Sequence, residues 1–362
     1  MVEMEESNMK KIFADVIQFR GSHYDFGVKQ GKIIKDSILV RNRERQWKVR
    51  IPKFKINPEE TKAMFQTYAP QIWEELLGLQ AALEWPMERV LLEFGGYRVN
   101  INPSGCSIYV GENYMIRNYD YHPKTYDSRC VIYQPNDGGY ATIGLTQKIT
   151  GRCDGMNEKG LTMGYTFMNR KRPGDGFICH MIGRLILERC SSVEEAVYLL
   201  KGIPHRGSFS YVLYDENSEM PSIVETSPRR IEVREGSVCT NHFKIMTEEN
   251  RRVLDDSTKR MMIIEQKEKQ GLNGKQAFKL LNDTNQGVFS KLYGSWAGTI
   301  HTSAYFPKER EAWIALGGDQ EPTKIDFSQW LNGENLAMKR IEGMVDTDIP
   351  FVHMEPADWY QK

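Results

Sequence analysis

The order of hydrophobic and polar residues divides the chain into two parts with different periodicities. From about residue 26 to residue 100, apolar residues recur at helical spacing. The sequence Asn57-Pro58-Glu59-Glu60 predicts the start of one helix, because Pro58 suits the first turn. The segment from Pro70 to Leu83 carries a broad apolar face and predicts another helix. We therefore expect a mostly helical N-terminal part.

After Pro103 the periodicity changes toward two, which is typical of strands, and Gly, Asn and Asp mark the turns. Strands are predicted over residues 106–110, 113–119, 129–134, 140–145, 160–167, 209–214, 222–226, 229–234, 298–306 and 311–317. Helices are predicted from Phe177 to Arg189, from Val193 to Leu200 and over 247–284, with a break at Gly271. This order predicts an α+β fold with mostly antiparallel sheets.

Composition narrows the class of protein. The 362 residues, 40% of them apolar, are enough for one large core or two closely packed domains. Lys+Arg and Asp+Glu are equal at 48 each, so no net field attracts nucleic acid or anionic lipid. No stretch approaches the roughly 18 apolar residues of a membrane span. The N-terminal sequence MVEMEESNMKK is charged and lacks the apolar stretch of a secretory signal, so we expect a cytoplasmic protein.

Neither the cysteines nor the acidic residues show metal-binding spacing. The six cysteines lie far apart without a Cys-x-x-Cys pair, which disfavours a zinc site and a disulfide framework. His122, Asp127 and Asp154 match no ligand motif and are interpreted as turn residues. Gly317-Gly318 lacks the context of a phosphate-binding loop. We therefore expect neither a metal nor a nucleotide cofactor.

Cys106 is the strongest candidate for chemistry. The sequence Val110-Gly111-Glu112-Asn113 predicts a hairpin whose two-residue loop has Gly111 first, the type II′ preference. That register places Cys106 opposite Arg117, within reach of the guanidinium. A neighbouring cation favours the thiolate over the thiol.

Asp120 follows Arg117 by three residues. A regular strand places the two side chains on opposite faces. For both to serve Cys106, the chain must bulge or leave the strand at Asn118-Tyr119. The sequence therefore predicts an irregularity at this place.

These residues resemble a known family. Gly105-Cys106-Ser107 followed by Arg117-Asn118-Tyr119-Asp120 looks like the N-terminal-nucleophile (Ntn) cysteine hydrolases, which include choloylglycine hydrolases, penicillin V acylases and acyl-coenzyme A:6-aminopenicillanate acyltransferases. Further similar motifs follow in order: 155–161, 208–215, 223–225 and 240–242. The segment from Gly21 to Gly31 resembles the acyltransferase branch, which carries a long pro-segment.

The resemblance implies a four-layer αββα sandwich, with a mostly helical pro-segment over 1–105 and a catalytic domain over 106–362. It also implies self-cleavage between Gly105 and Cys106, after which Cys106 is the nucleophile and its α-amine the base. In that family pattern Arg117 stabilises the thiolate and Asp120 orients the amine or thiol. Asn241 offers an N–H to the developing oxyanion.

The substrate implied by the resemblance is a small linear amide, and hydrolysis and acyl transfer both stay open. Acyl-coenzyme A, where it is the donor, is a substrate rather than a cofactor, and a homo-oligomer is compatible with the family. Tyr119, Tyr165 and Thr166 are candidate substrate-binding residues, and Tyr165 or Thr166 is the candidate second oxyanion donor. The downstream arginine of the family has no match between Thr299 and Phe306, and Arg310 comes several residues too late.

Two other functions remain open at this stage. One is a papain-like enzyme that pairs Cys106 with His242 or His301 without self-cleavage. The strand pattern after Cys106 disfavours it, because the papain cysteine lies at a helix N-terminus. The other is a catalytically silent binding protein with the same fold, in which the Cys106 nitrogen stays an amide.

Overall fold

The structure is a computed structural model that describes residues 8–50, 56–99, 102, 104–168 and 172–356. Its helices are α1 His23–Ile34, α2 Ile38–Arg50, α3 Pro58–Tyr68, α4 Pro70–Leu83, α5 Met87–Val90, α6 Cys179–Arg189, α7 Val193–Gly202, α8 Asp255–Glu268, α9 Gly274–Asn282 and α10 Phe327–Leu331. Its strands are β1 Met9–Gly21, β2 Gly105–Gly111, β3 Tyr114–Tyr121, β4 Arg129–Pro135, β5 Thr142–Gln147, β6 Gly151–Arg152, β7 Asp154–Asn157, β8 Thr162–Phe167, β9 Phe209–Tyr214, β10 Ser222–Thr226, β11 Ile231–Glu235, β12 Val238–Cys239, β13 Lys291–Leu292, β14 Ala297–Phe306, β15 Glu311–Leu316, β16 Thr323–Asp326 and β17 Arg340–Asp346.

Two sheets form the centre of the molecule. The first has the order β11-β10-β9-β8-β7-β5-β4-β1-β17, with β6 paired to β5. The second has the order β12-β2-β3-β14-β15-β16, with β13 paired to β14. Pairing is antiparallel except between β1 and β4. The prediction of an α+β fold with mostly antiparallel sheets is confirmed.

Apolar side chains hold four layers together. Inward-facing residues such as Ile108, Met115, Ile143 and Val212 share one cluster between the sheets. The outer face of the first sheet packs against α6 and α7, and α8 and α9 cover the second sheet through Ile116, Ile264 and other residues. Each sheet therefore has both faces buried, which produces the αββα arrangement.

The N-terminal segment is built into this core. Its first strand, β1, lies inside the first sheet, parallel to β4 and antiparallel to β17. The sequence predicts no strand before residue 103, because Met9–Gly21 mixes charged and apolar residues. Most of the predicted helices and strands are present within a few residues of their expected bounds, but the helix expected from residue 247 begins at Asp255. The short strands β7, β12 and β16 and the last strand, β17, were not predicted. The break at Gly271 is confirmed by the end of α8 and the start of α9.

A buried ionic cluster joins the helical segment to the rest of the protein. Arg184 of α6 donates to Glu75 of α4 at 2.7 Å and to Glu188, and all three side chains are almost inaccessible to solvent. His23 of α1 bonds the other Glu188 oxygen at 3.2 Å. Burial opposes protonation of His23, but the Glu188 carboxylate outweighs it and raises the pKa of His23. The buried charges of this cluster are therefore paired with one another.

None of the described helices is long and apolar enough to cross a membrane. The residues before position 8, part of the charged sequence on which the cytoplasmic prediction rests, lie outside the described residues.

Arg184→Ala should destabilise the folded state by about 3–5 kcal/mol, because it leaves the buried carboxylates of Glu75 and Glu188 without their main cation. Urea unfolding followed by circular dichroism measures this loss. Lys35→Ala is the control, since it removes the exposed Lys35–Glu84 pair between the ends of α1 and α4. Equal unfolding midpoints for the two variants would show that the buried cluster does not hold the segment.

Candidate active site

Cys106 lies on β2, the first strand of a hairpin, but the hairpin register differs from the expected one. The pairing runs Gly111↔Tyr114, Val110↔Met115 and Cys106↔Tyr119, so Cys106 is not opposite Arg117. The loop is Glu112-Asn113, with Asn113 in the left-handed region at φ 61°. Asn tolerates this conformation through its short polar side chain. The register is shifted by two residues, so every side chain keeps its expected face.

The prediction of an irregularity at Asn118-Tyr119 is also wrong. Strand β3 pairs with β2 without interruption as far as Gly105↔Asp120. The irregularity lies on the neighbouring strand β14, between Thr299 and His301. Arg117 and Asp120 therefore lie on opposite faces of β3 and reach different parts of the Cys106 environment.

Arg117 extends into the space between the sheets and contacts the thiol. Its Nη2 lies 3.2 Å from Cys106 Sγ. Its Nε and Nη2 donate to the Tyr165 carbonyl at 3.2 and 3.0 Å, and its Nη1 donates to Asp154 at 2.7 Å. The rings of Tyr119 and Tyr165 have centroids 5.1 and 5.0 Å from Arg117 Cζ. The predicted pairing of cysteine and arginine is thus present, along a diagonal of the hairpin.

Burial and charge act in opposite directions on the thiol. Cys106 is completely buried, and burial raises the pKa of its thiol, while the Arg117 guanidinium works to lower it. Burial alone would lower the pKa of Arg117, but Cys106 and Asp154 outweigh burial and raise it. Arg117 is therefore charged and is the main group beside Sγ that favours the thiolate.

Asp120 lies next to the peptide bond that precedes Cys106. Its Oδ1 accepts a hydrogen bond from Thr299 at 2.7 Å. Its Oδ2 is buried and has no hydrogen-bond partner among the described residues, and a Cβ on Gly105 would lie 3.3 Å from it. Burial raises the pKa of Asp120 to about 6, although Arg260 and the Thr299 hydrogen bond oppose this. One carboxylate oxygen is thus free to take a proton or a donor at Gly105-Cys106.

Asn241 contacts the same bond from the loop after β12. Its Oδ1 accepts from the Cys106 backbone N–H at 2.9 Å. Its Nδ2 donates to the carbonyls of Ser104 and Phe167 at 3.3 and 2.9 Å. The amide orientation is fixed, because donors face its oxygen and carbonyls face its nitrogen. In this uncut chain Asn241 therefore holds the Cys106 nitrogen, which differs from the oxyanion contact expected from sequence.

Arg260 of α8 is a site residue that the sequence analysis missed. Its Nη1 donates to the Cys106 carbonyl at 2.8 Å and to Ser107 Oγ at 2.6 Å. Its Nη2 donates to Asn241 Oδ1 at 2.9 Å. A signal was present, because Arg260 stands in the stripe of α8 that also contains the buried Met261 and Ile264. A cation in an apolar stripe needs a buried partner.

Asp154 is a second missed residue. It was interpreted as a turn residue, but it lies on β7, is completely buried, and faces Arg117 from the opposite sheet. His122 and Asp127 have structural roles: His122 caps a short 3-10 helix, and Asp127 accepts from Arg43 at 2.7 Å and from the Ile149 N–H. Among the described residues, no group of three or more His, Cys, Asp or Glu side chains could hold a metal.

Two of the three candidate substrate residues, Tyr119 and Tyr165, lie beside the guanidinium that contacts the thiol. Tyr119 faces Cys106 across the hairpin, and Tyr165 donates its hydroxyl to Gln147 at 2.6 Å. Thr166 Oγ1 lies 3.3 Å from the sulfur of Cys239. Because that hydroxyl already has a sulfur partner, nothing in this arrangement selects Thr166 over Tyr165 as a second oxyanion donor.

The two histidines proposed as papain-type partners have other contacts. His242 Nδ1 lies 2.9 Å from Ser257 Oγ on α8. His301 Nε2 lies 3.4 Å from Asp154, and its ring stacks on Tyr119. Cys106 lies within a strand rather than at a helix N-terminus. This geometry weakens the papain-like interpretation.

The loop that carries Asn241 is held by a buried carboxylate. Glu225 on β10 accepts from three successive backbone N–H groups, those of residues 244, 245 and 246, at 2.8, 3.0 and 2.9 Å. Arg234 donates to the same carboxylate at 2.9 Å. The Asn241 N–H is held by Ser257 of α8 at 2.8 Å. The site thus depends on the attachment of this loop to both β10 and α8.

A buried cysteine, its cation and two polar groups at the preceding peptide bond form the candidate active site. The sequence profile of one family, acyl-coenzyme A:6-aminopenicillanic acid acyl-transferase, matches residues 109–321, which is more than half of the chain and begins three residues after Cys106. The chain belongs to this acyl-transferase family, and the predicted resemblance is confirmed.

Similar solved structures include amide hydrolases. Penicillin V acylase from Agrobacterium tumefaciens is 15% identical, with a TM-score of 0.42 over 69% of this chain and 93% of that chain. A mutant of the conjugated bile acid hydrolase from Clostridium perfringens is 14% identical, with a TM-score of 0.44 over 67% and 97%. The Caenorhabditis elegans ortholog of N-acylethanolamine-hydrolyzing acid amidase is 14% identical, with a TM-score of 0.41 over 56% and 92%. No curated protein matches the sequence.

Glu225→Ala should loosen the loop, because three backbone N–H groups and Arg234 lose a charged acceptor in a buried place. We expect faster hydrogen exchange at residues 244–246 and at Asn241, measured by mass spectrometry of the native protein. Glu232→Ala, on the adjacent strand and half exposed, is the control. Unchanged exchange in Glu225→Ala would contradict the anchoring role.

Proposed function

We propose that this protein is a self-processing amidase or acyltransferase that cuts the chain between Gly105 and Cys106 and then acts through a Cys106 thioester. The observation that carries the proposal is the set of contacts on both sides of one peptide bond. Arg117 contacts Sγ, Asn241 holds the Cys106 nitrogen, and the unpartnered oxygen of Asp120 lies beside Gly105. Family membership supports acyl chemistry at this place.

In the cutting step the Cys106 thiol attacks the Gly105 carbonyl. A C–S bond forms, the C–N bond breaks, and the thiol proton is transferred, with Asp120 as carrier, to the departing Cys106 nitrogen. Water then hydrolyses the thioester and releases the Gly105 carboxylate and the thiol. Gly105 suits this step, because a residue without Cβ tolerates the distorted backbone of the attack. The products are chains of residues 1–105 and 106–362.

The cut changes what the surrounding groups can do. The Cys106 nitrogen becomes an α-amine with an ordinary pKa of about 7.7–8.0, so it can accept the thiol proton near neutral pH. Asp120 is placed to orient this amine. Ser104 then belongs to the other chain, and its departure frees the Asn241 N–H that now donates to its carbonyl. That N–H becomes available to an oxyanion.

The substrate is proposed to be a small linear amide, whose acyl group is transferred to Cys106 and then to water or to an amine. Acyl-coenzyme A is the alternative acyl donor that the family description supports. Tyr119 and Tyr165 are proposed to line the acyl pocket, and Thr166 to contact the substrate. A cytoplasmic location is part of this proposal.

Self-cleavage should give two chains of roughly 12 and 30 kDa from their residue numbers, in place of one of 41.9 kDa. Intact mass under denaturing conditions measures this, and the larger chain should begin at Cys106. Cys106→Ala should stay whole, because it has no nucleophile. Cys239→Ala, which removes another buried thiol on the adjacent strand, should still be cut.

A single uncut species after long incubation would contradict the self-processing function. Amide hydrolysis by that uncut protein would then favour the papain-like enzyme. Thiol labelling without acylase or acyltransferase activity would favour a binding protein.

Cleavage should depend on the ionisation of Asp120. The raised pKa of Asp120, about 6, means that its carboxyl is mostly protonated below pH 6 and cannot accept a proton there. The slope of log rate against pH should therefore decrease by about one as pH rises through 6. Pulse-labelled chain from cell-free synthesis, quenched at successive times between pH 5 and 7.5, gives this rate.

Asp120→Asn should lower the rate and remove the change of slope. Asp215→Asn, which alters a buried aspartate in the β9–β10 turn, should keep it. A change of slope that persists in Asp120→Asn would assign the titration to another group.

A further inference from the structure

A chain of buried polar contacts continues beyond the Cys106–Arg117 pair. Arg117 Nη1 donates to Asp154 Oδ2 at 2.7 Å, and both side chains are completely inaccessible to solvent. Tyr305 donates its hydroxyl to the other oxygen, Oδ1, at 2.5 Å. His301 Nε2 lies 3.4 Å from Oδ2. The carboxylate thus has a partner on each oxygen, and none of these partners belongs to its own sheet.

The contacts of Asp154 cross from one sheet to the other. Arg117, His301 and Tyr305 come from β3 and β14 of the second sheet, whereas Asp154 comes from β7 of the first. His301 also stacks on Tyr119, with ring centroids 4.8 Å apart and planes at 7°. Tyr119 is the residue directly opposite Cys106. The contacts therefore link the two sheets directly behind the thiol.

Because the guanidinium of Arg117 is planar, its contact with Asp154 also fixes where Nη2 lies. Three of its contacts, Nε and Nη2 to the Tyr165 carbonyl and Nη1 to Asp154, fix the plane. Once the plane is fixed, Nη2 has one location, 3.2 Å from Cys106 Sγ. Without the Nη1 contact the group can pivot about the Tyr165 carbonyl.

We propose that Asp154, held by Tyr305 and His301, is the positioning residue of the site and fixes Arg117 against the Cys106 thiol. This inference deepens the proposed function, which takes Arg117 as the cation beside the nucleophile. Asp154 remains an anion in this environment: burial raises its pKa, but the His301 hydrogen bond and Arg117 outweigh burial and lower the pKa to about 2.

Small displacements of Arg117 should have a measurable effect. The attraction between guanidinium and thiolate varies inversely with distance. At an effective dielectric constant of about 20, moving Nη2 from near 3 Å to near 4 Å from the sulfur raises the thiol pKa by roughly one unit. That shift corresponds to about tenfold less thiolate at a given pH below the pKa.

The first test is Tyr305→Phe, which removes the hydroxyl on Asp154 and changes no charge. We expect the thiol pKa of Cys106 to rise by about 0.5–1 unit, a threefold to tenfold loss of thiolate. The ultraviolet absorbance of thiolate against pH, with the curve of the matching Cys106→Ala protein subtracted, isolates this thiol and needs no reagent to reach it. Tyr133→Phe is the matched control, because it removes a buried hydroxyl bonded to the Gly21 carbonyl elsewhere.

A second pair of variants keeps the test decisive if Tyr305→Phe folds poorly. His301→Leu removes the donor to Asp154, whereas His301→Gln retains an N–H near the place of Nε2. The thiol pKa should rise in His301→Leu and return most of the way in His301→Gln. A purely structural role would lower thermal stability in both and leave the thiol pKa unchanged.

Unchanged thiol pKa values in Tyr305→Phe and His301→Leu would overturn the positioning role. So would a shift of equal size in Tyr133→Phe. The readout is independent of the proposed function, since the absorbance reports the thiol in the cut or the uncut chain. A protein that never cuts itself but shows the expected pKa shifts would refute self-processing and retain the positioning role.

Discussion

The active site depends on one buried cation. Arg117 has no access to solvent, and it lies between two sheets whose facing residues are otherwise mostly apolar. A charge in such a place is tolerated only when its hydrogen bonds are satisfied. Asp154 and the Tyr165 carbonyl satisfy most of them, and the remaining direction of the guanidinium is toward Cys106. The contacts that place a cation beside the thiol therefore also link the two sheets.

Because β3 is a regular strand, Arg117 and Asp120 contact different parts of the Cys106 environment. Alternate residues of a strand face opposite sides, so Arg117 serves the sulfur between the sheets while Asp120 lies on the side covered by α8 and α9. On that side Asp120 is near Gly105, and Asn241 and Arg260 hold the backbone nitrogen and carbonyl of Cys106. The side chain of Cys106 and its backbone are thus contacted from different faces of the hairpin.

Local patterns were sufficient for most of the elements and for the pairing of Cys106 with Arg117. The predicted hairpin register was wrong by two residues. Arg117 still lies on the same face as Cys106, because a shift by an even number of residues keeps each side chain on its face. Strand β1, the roles of Asp154 and Arg260, and the site of the bulge could not be predicted in this way. Each depends on a partner distant in sequence: β1 on β4 and β17, Asp154 on Arg117, and Arg260 on Asn241. The helical periodicity of α8 did contain a signal, since a buried arginine within an apolar stripe requires an acceptor that its own helix supplies only in part.

The N-terminal segment is held to the rest of the protein by contacts that do not involve the proposed cleavage site. Hydrogen bonds join β1 to strands on both sides, and Arg184 ties α4 to α6 through Glu75. All of these contacts cross from residues before position 105 to residues after it, and none of them requires the bond between Gly105 and Cys106. Breaking that bond therefore removes a local constraint at Ser104 and Cys106 while the sheet and the ionic cluster stay in place. The proposed cut would therefore create an amine at the candidate active site without releasing the segment, because β1 stays paired with β4 and β17.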